Sequence, residues 1–480
     1  MKITPLLFAV SLFGATAICQ SADPAPVRPN ILILLSDDHG YSDYGFVSRK
    51  PEVKTPHLDG LAREGTFFPN TLSLSPVCSP ARAGLMTGRY PQRGGIYWFT
   101  GDKSRPGIPA GVTTIAEYLR GGGYATGYIG KLHHDGGETM PGLRTFPTSH
   151  GFEHFFGATT GGTIHYLWHS EKAIREKGAD YAKKNFIAPL WRNNEPQREL
   201  DGFTTDLFAE DAVNFIKTNA GKRPFYLHVA WNAVHSFAKQ LPPEEAKRRG
   251  FELDEEGNAV APLRQLYLAQ LELMDAGVGR ILDALRQSGQ LDNTLILFTA
   301  DNGGSSGSNN KPLAGSKYHL YEGGIRTPII ARFPRRFAAG ARSEAWLSHL
   351  DILPTILDAA GISAKPDTLD GASFFRLAGE AAKGAPKALF HDTGFQWSVH
   401  RGDWKLLVTS DEDAAVALEA KYKLKLAHGV NLFNLRDDPA EQKNLAAAHP
   451  EIVSELTRLH EAWRKDCRPP APSVVNKVGN

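Results

Sequence analysis

A cysteine, a proline and an arginine at alternate positions stand in the run Ser75-Pro76-Val77-Cys78-Ser79-Pro80-Ala81-Arg82-Ala83-Gly84-Leu85-Met86-Thr87-Gly88-Arg89. Pro80 suits the first turn of a helix, where its missing N–H would have no partner anyway. Gly88 suits the residue just past a helix end. The spacing predicts a short apolar helix with Cys78 at its mouth, where backbone N–H groups and the helix dipole favour an anion. Arg82, one turn along, falls on the same face as Cys78. A reactive side chain, a fixed cation and a helix N-terminus at one point make a site for an oxyanion. From the residue alone two uses of Cys78 stay open: a buried structural thiol, or a thiolate nucleophile served by a nearby base.

Further clusters carry groups of the same kind. Asp37-Asp38 reads as a solvated turn or as a metal site. Asp301-Asn302-Gly303-Gly304 also reads as a turn, since Asp, Asn and Gly are turn residues. Together the two supply three carboxylates and one amide oxygen. That set suits a hard divalent cation, with Ca²⁺ more tolerant of geometry than Mg²⁺. It lacks the His/Cys-rich ligation that zinc prefers. Lys131, His133, His235 and Lys317 each have an ordinary reading as surface or core residues. As a set with Arg82 beside a metal, they make an anion pocket with proton-transfer groups.

Such groups need rigid elements behind them. Asn30 to Leu35 is a continuous apolar run, read as a strand buried on both faces. Tyr124 to Ile129, Pro224 to Trp231 and Thr294 to Thr299 read as three more strands. Helices are predicted over Thr55 to Glu64, Thr113 to Leu119, Thr205 to Lys217 and Pro262 to Gln287. The alternation predicts an α/β fold: a large mixed, mostly parallel sheet sandwiched by helices. Its ligand site should lie beyond the carboxyl ends of the strands. All four strands end in one of the polar clusters. Residues 140 to 200 read as irregular and rich in aromatics and histidines. Trp397 to Leu407 and Val430 to Leu435 read as short strands, and Ile452 to Trp463 as a closing amphipathic helix. The expected organisation is a signal peptide over 1–22, a catalytic domain over 27–368 and a smaller C-terminal α+β domain over 369–480, with an antiparallel sheet and the closing helix.

The chain's 480 residues are too many for one simple core. Its 41% hydrophobic and 22% charged residues are ordinary for a globular protein. A net charge of +2 argues against a nucleic-acid or membrane-surface binder. Lys2, the apolar run Leu6 to Ile18 and the small residues Ala15-Thr16-Ala17 read as a secretory signal. A lipoprotein anchor at Cys19 ranks lower, because bulky Ile18 precedes it. No other apolar run is long enough to span a bilayer. Of the three cysteines, Cys19 should leave with the signal, and Cys78 and Cys467 make no disulfide framework, although their pairing stays open. The expected location is the periplasm or the outside of a bacterial cell.

Cys78-Ser79-Pro80-Ala81-Arg82 with Leu85, Thr87 and Gly88 resembles the signature of the type I sulfatases, of the alkaline-phosphatase-like superfamily. Ala81 stands where most members carry serine. Asn30 to Gly40 resembles the family's opening strand and aspartate pair. Gly130-Lys131-Leu132-His133 is similar to Gly-Lys-Trp-His, and Thr299 to Gly303 to Thr-Ser-Asp-Asn-Gly. Lys317 through Pro328 is similar to a lysine followed by Tyr-Glu-Gly-Gly-x-Arg-x-Pro. Leu432-Phe433-Asn434-Leu435 with Asp438-Pro439, Glu441 and Asn444 resembles the C-terminal segment. The resemblance covers nearly the whole mature chain and implies an alkaline-phosphatase-like fold. It implies that Cys78 is oxidised by a maturase to formylglycine, whose hydrate is the nucleophile. Ca²⁺ would be bound by Asp37, Asp38, Asp301, Asn302 and an oxygen of the modified Cys78. Arg82 and Lys131 would hold the hydrate, and His133 would accept the proton that lets the sulfated hydrate collapse. His235 and Lys317 would bind sulfate and assist the leaving oxygen. The expected substrate is a sulfated carbohydrate, with Tyr97-Trp98, His165-Tyr166, Trp168-His169 and Trp191 as a sugar rim or, equally, as core. The rival expectations are a phosphatase or phosphodiesterase of the same superfamily, and an inactive carbohydrate-binding relative.

Overall fold

A computed structural model describes residues 28–100, 107–133, 147–159, 161, 175–178, 180, 190–197, 200, 202–235, 240–255, 257–365, 368–377 and 387–470. The expected signal peptide lies outside them. The strand Asn30–Ser36 is buried along its whole length, at the middle of the main sheet. It runs parallel to Thr294–Ala300 on one side and Phe225–Ala230 on the other. Parallel pairing continues from Phe225–Ala230 to Ala125–Lys131 and then His154–Ala158. Antiparallel strands flank this core, Ile329–Arg332 on one side and Leu190–Arg192 on the other. Among the described residues the sheet has ten strands.

Successive side chains of a strand point to opposite faces, and both faces here are apolar. Leu32 and Leu34 join a core with the helices Thr204–Asn219 and Leu263–Gln287. Ile31, Ile33 and Leu35 join a second core with Leu85 and Met86 of the Cys78–Thr87 helix and Leu353 and Ile356 of the Ile352–Ala360 helix. That double burial explains why the central strands read as unbroken apolar runs.

The C-terminal residues form a four-stranded antiparallel sheet in the order Leu389–Asp392, Gln396–Arg401, Trp404–Thr409, Val430–Asn434. The helix Pro450–Arg464 covers one face through Leu456. Leu407 and Phe433 turn the other face onto Leu72, Leu320 and Ile325 of the larger part.

Two expectations change. Trp397 to Leu407 is not one strand but a hairpin: Arg401 pairs with Trp404, leaving Gly402-Asp403 as a two-residue turn with Gly402 at φ 61°. Residues 140 to 200 are not wholly irregular, since His154–Ala158 extends the parallel core. Its aromatic and glycine content hid it, because burial there comes from the neighbouring strand rather than from an alternating pattern of its own.

Candidate active site

The helix predicted around Cys78 spans Cys78–Thr87 and is buried throughout. Gly88 closes it at φ 61°, donating its N–H to Gly84 O at 2.8 Å. Among the described residues no side chain caps its N-terminus at Val77, which leaves its first-turn amides suited to an anion. Cys78 is 1% exposed. Its Sγ–H donates to Asp37 Oδ1 at 3.7 Å, and Lys131 Nζ donates to the sulfur at 3.7 Å. Burial pushes the thiol up to about 12, against the pull of Lys131 and Lys317. Burial at this position therefore works against a thiolate. Cys78 and Cys467 are both free, so the pairing left open by the sequence is not made.

Around that helix mouth the strand ends, the helix itself and the loop carrying Lys317 bring together three buried carboxylates and three buried cations. Lys131, at the end of Ala125–Lys131, donates to Asp37 Oδ2. Arg82 Nε donates to Asp301 Oδ2 at 2.8 Å and its Nη1 to Lys131 O at 2.6 Å. Its Nη2 stands 3.5 Å from Asp37 Oδ2. Lys317 Nζ donates to Asp38 Oδ2 at 2.8 Å. Burial opposes charge on Lys317, but Asp38 beside it wins and holds the group well above the usual lysine range. Burial, with Asp37 nearby, raises Asp301. His235 Nε2 lies 2.8 Å from Lys317 Nζ and 3.4 Å from Asp38 Oδ2. An ammonium only donates, so Nε2 is the acceptor of that pair.

Ligand atoms of Asp37, Asp38, Cys78 and His235 all lie within 4.8 Å of one another. Asp301 and Asn302 adjoin this group. Asp301 Oδ1 accepts from the N–H groups of Asp38 at 3.2 Å and Asn302 at 2.9 Å. Asn302 Nδ2 donates to Asp38 Oδ1 at 2.7 Å, while its buried Oδ1 has no hydrogen-bond partner among the described residues. Three carboxylates and an orphaned amide oxygen fit a hard, oxygen-seeking dication. A thiol does not, but the same position oxidised to bear oxygen would. His235, expected at the sulfate, is the one donor of the converging group outside the expected metal set.

Backbone close approach fixes these ends. A Cβ on Gly130, at φ 109°, would fall 1.9 Å from Ala230 O. His133 follows at φ 49°, with its ring stacked on Phe99 at 6.1 Å between centroids. Phe99 begins an aromatic wall that sequence reading missed. Phe99 packs on Tyr318, and Tyr318 stacks on Tyr422 at 4.2 Å. Lys317 Nζ lies 5.6 Å from the Tyr318 ring centroid. The signal was available in Tyr318, next to Lys317, but Phe99 and Tyr422 meet it only through the fold. Of the expected sugar rim, Tyr97 and Trp98 are core residues, 1% and 5% exposed. Trp191 packs beside the second core, and His165, Tyr166, Trp168 and His169 lie outside the described residues.

The family model described as Sulfatase matches residues 29–362, and a second, described as N-sulphoglucosamine sulphohydrolase, C-terminal, matches 316–466. The chain is 30% identical over 478 residues to human N-acetylgalactosamine-6-sulfatase, covering 92% of this chain and 86% of that one. It is 32% identical over 474 residues to bovine arylsulfatase A, covering 93% and 89%. Its structure is similar to that of Ps i-CgsB in complex with k-i-k-neocarrahexaose, with a TM-score of 0.78, 28% identity and 92% and 94% of the two chains covered.

Proposed function

The chain belongs to the type I sulfatase family and is a sulfuric ester hydrolase, and from that premise we propose that it removes sulfate from a sulfated carbohydrate through a formylglycine made from Cys78 and a Ca²⁺ beside it. The observation that carries this reading is the meeting of Asp37, Asp38, Cys78, Lys131, His235 and Lys317 at one helix mouth. Asp37, Asp38, Asp301 and Asn302 Oδ1 would hold the ion. Bound there, the ion would stabilise charge on the sulfate oxygens, while the hydrated aldehyde would supply the attacking oxygen and a second hydroxyl as the way out. Every other part falls to side chains already in place. Arg82 and Lys131, fixed by Asp301 and Asp37, would hold oxygens at residue 78 and balance their charge. His133 would accept the proton released there. Lys317 and His235, on the Asp38 side, grip the sulfate and place a proton donor at the leaving oxygen, with Lys317 held cationic by Asp38. Each preorganised donor of this kind is worth about 10²–10³ in rate.

The carbohydrate follows from the human relative's name, from the oligosaccharide in the Ps i-CgsB complex and from the Phe99–Tyr318–Tyr422 wall. Aromatic faces suit the apolar faces of sugars. We assign chemistry to 27–368 and support of the site to 369–480. A maturase acting on Cys78, and export to the periplasm or beyond, complete the proposal. Among the described residues no helix is long and apolar enough to cross a membrane.

Mass spectrometry of the tryptic peptide Glu64–Arg82 from the native host tests the nucleophile. Formylglycine at position 78 is expected, and an intact thiol in fully active protein would refute the mechanism. Turnover of an aryl sulfate against the matching aryl phosphate tests the bond broken. Sulfate should be preferred, and a preference for phosphate would favour the phosphatase reading.

A further inference from the structure

The sequence run Asp438-Pro439-Ala440-Glu441-Gln442-Lys443-Asn444 has no part in the chemistry above, yet it is built to aim one side chain inward. Asp438 Oδ2 accepts from the amides of Gln442 and Lys443, both at 2.8 Å. Asn444 Oδ1 accepts from Leu432 N–H at 3.1 Å, and its Nδ2 donates to Val430 O at 2.9 Å. Between them Glu441 sits at φ 52° and is 6% exposed. Its Oε2 accepts the backbone N–H of Glu322 at 2.7 Å, and its Oε1 lies 2.8 Å from Lys405 Nζ. Lys405 is 0% exposed, on the face that its strand shares with Leu407. The same ammonium donates to Glu322 Oε1 at 2.8 Å, while Arg326 Nε donates to Glu322 Oε2 at 2.7 Å. Two carboxylates therefore share one buried ammonium. Well-packed apolar residues would usually be as stable there or more so, which points to a use in fixing geometry.

What Glu322 fixes is the turn Glu322–Ile325, which touches both sides of the site. Gly303 N–H donates to Gly324 O at 2.9 Å, directly after Asn302. Gly323 N–H donates to Ala314 O at 2.7 Å, and Lys317 N–H to Gly304 O at 3.0 Å. A Cβ on Gly324 would fall 2.1 Å from His319 O, so the loop closes without slack. A shift of Glu322 has to be passed on to the segment that carries Lys317.

We propose that Lys405 and Glu441 are positioning residues for hydrolysis: their joint hold on Glu322 sets the turn that delivers Lys317 to Asp38 and His235. The inference rests on the sulfatase reading for what Lys317 does, though not for where it stands. Lys405→Met alone would leave two buried carboxylates facing each other and is expected to fold poorly. The variant to use is Lys405→Met with Glu441→Gln, which removes opposite charges together and leaves Glu322 on Arg326. It should unfold cooperatively, lose about 10²-fold in kcat on a sulfate ester with KM little changed, as a small misplacement does, and add no further loss in the Lys317→Ala background. Glu441→Gln alone keeps an acceptor for Glu322 N–H and should show a smaller loss with the same non-additivity. Unchanged kcat in the folded variants, or losses that multiply with that of Lys317→Ala, would overturn the proposal. A crystal structure of the paired variant reads the geometry without turnover. Lys317 Nζ should leave hydrogen-bond range of Asp38 Oδ2, and a separation still at 2.8 Å overturns the inference. Absence of sulfate-ester turnover in the wild type with confirmed formylglycine would strike the proposed function instead, and the crystallographic comparison would still decide this one.

Discussion

Cys78 illustrates how burial decides what a side chain is for. A helix mouth and a neighbouring lysine ordinarily lower a thiol, but with 1% exposure desolvation dominates and the thiol rises to about 12. That burial favours the proposed use of the position through an oxygen in place of its sulfur. Cys78→Ser should accept about one sulfuryl group per chain and then stop, since a serine ester has no second hydroxyl through which to collapse. Intact-mass analysis after incubation with an aryl sulfate reads this directly, and sustained turnover by the serine variant would sink it. Lys131→Ala should leave Asp37 ion-paired with the more distant Arg82 alone and cost about 10²–10³ in kcat. Steady-state rates on the same aryl sulfate measure that loss.

At the scale of elements, the site is a set of strand ends held in register by backbone contact. Asp37 and Asp38, Lys131, His235, and Asp301 with Asn302 leave four parallel strands at the same edge of the sheet. Gly303 lets the bend that bears Asn302, just after Thr294–Ala300, press against the turn at Glu322. A Cβ there would stand 1.9 Å from Gly323 O. Gly303→Ala should thus displace the Asn302 oxygen and weaken Ca²⁺ binding about 10–100-fold, as loss of outer support for metal ligands typically does. Titration calorimetry with Ca²⁺ would show it, and wild-type affinity in a folded Gly303→Ala protein would contradict the assignment of Asn302.

Over the whole molecule, buried titratable groups give stability a pH dependence with a definite sign. Burial depresses His349 to about 3, His391 to about 4 and His400 to about 3. Below the unfolded value of about 6.5 the unfolded chain binds protons that these imidazoles refuse, so their contribution is lost as pH falls toward 4. Burial raises Asp275 to about 6 and Glu441 to about 7, and these two oppose the trend because their cost is relieved by protonation. Burial lowers His39 and His319 as well and raises Asp301 and Asp351, and with five such histidines against four such carboxylates the unfolding free energy should fall on acidification between pH 6.5 and 5. Denaturant titrations across that window test the sign, and a rise in stability on acidification would refute it.

The sequence by itself determined four strands of the parallel core and the helix at Cys78, and it named the groups to which the chemistry is here proposed to fall. It could do so because double burial writes unbroken apolar runs and because helix ends and turns demand particular residues such as Pro80 and Gly88. Only the tertiary structure decided how those groups are paired. The burial that works against a thiolate at Cys78 came from the packing around it, and whether Tyr97 and Trp98 are rim or core depended on what packs over them. The meeting of Glu441 with Glu322, 119 residues apart, and the stacking of Tyr422 on Tyr318 depended on how the C-terminal sheet docks. Such contacts join residues with no local pattern in common, because a shared ammonium or a stacked ring constrains position in space and leaves no period along the chain.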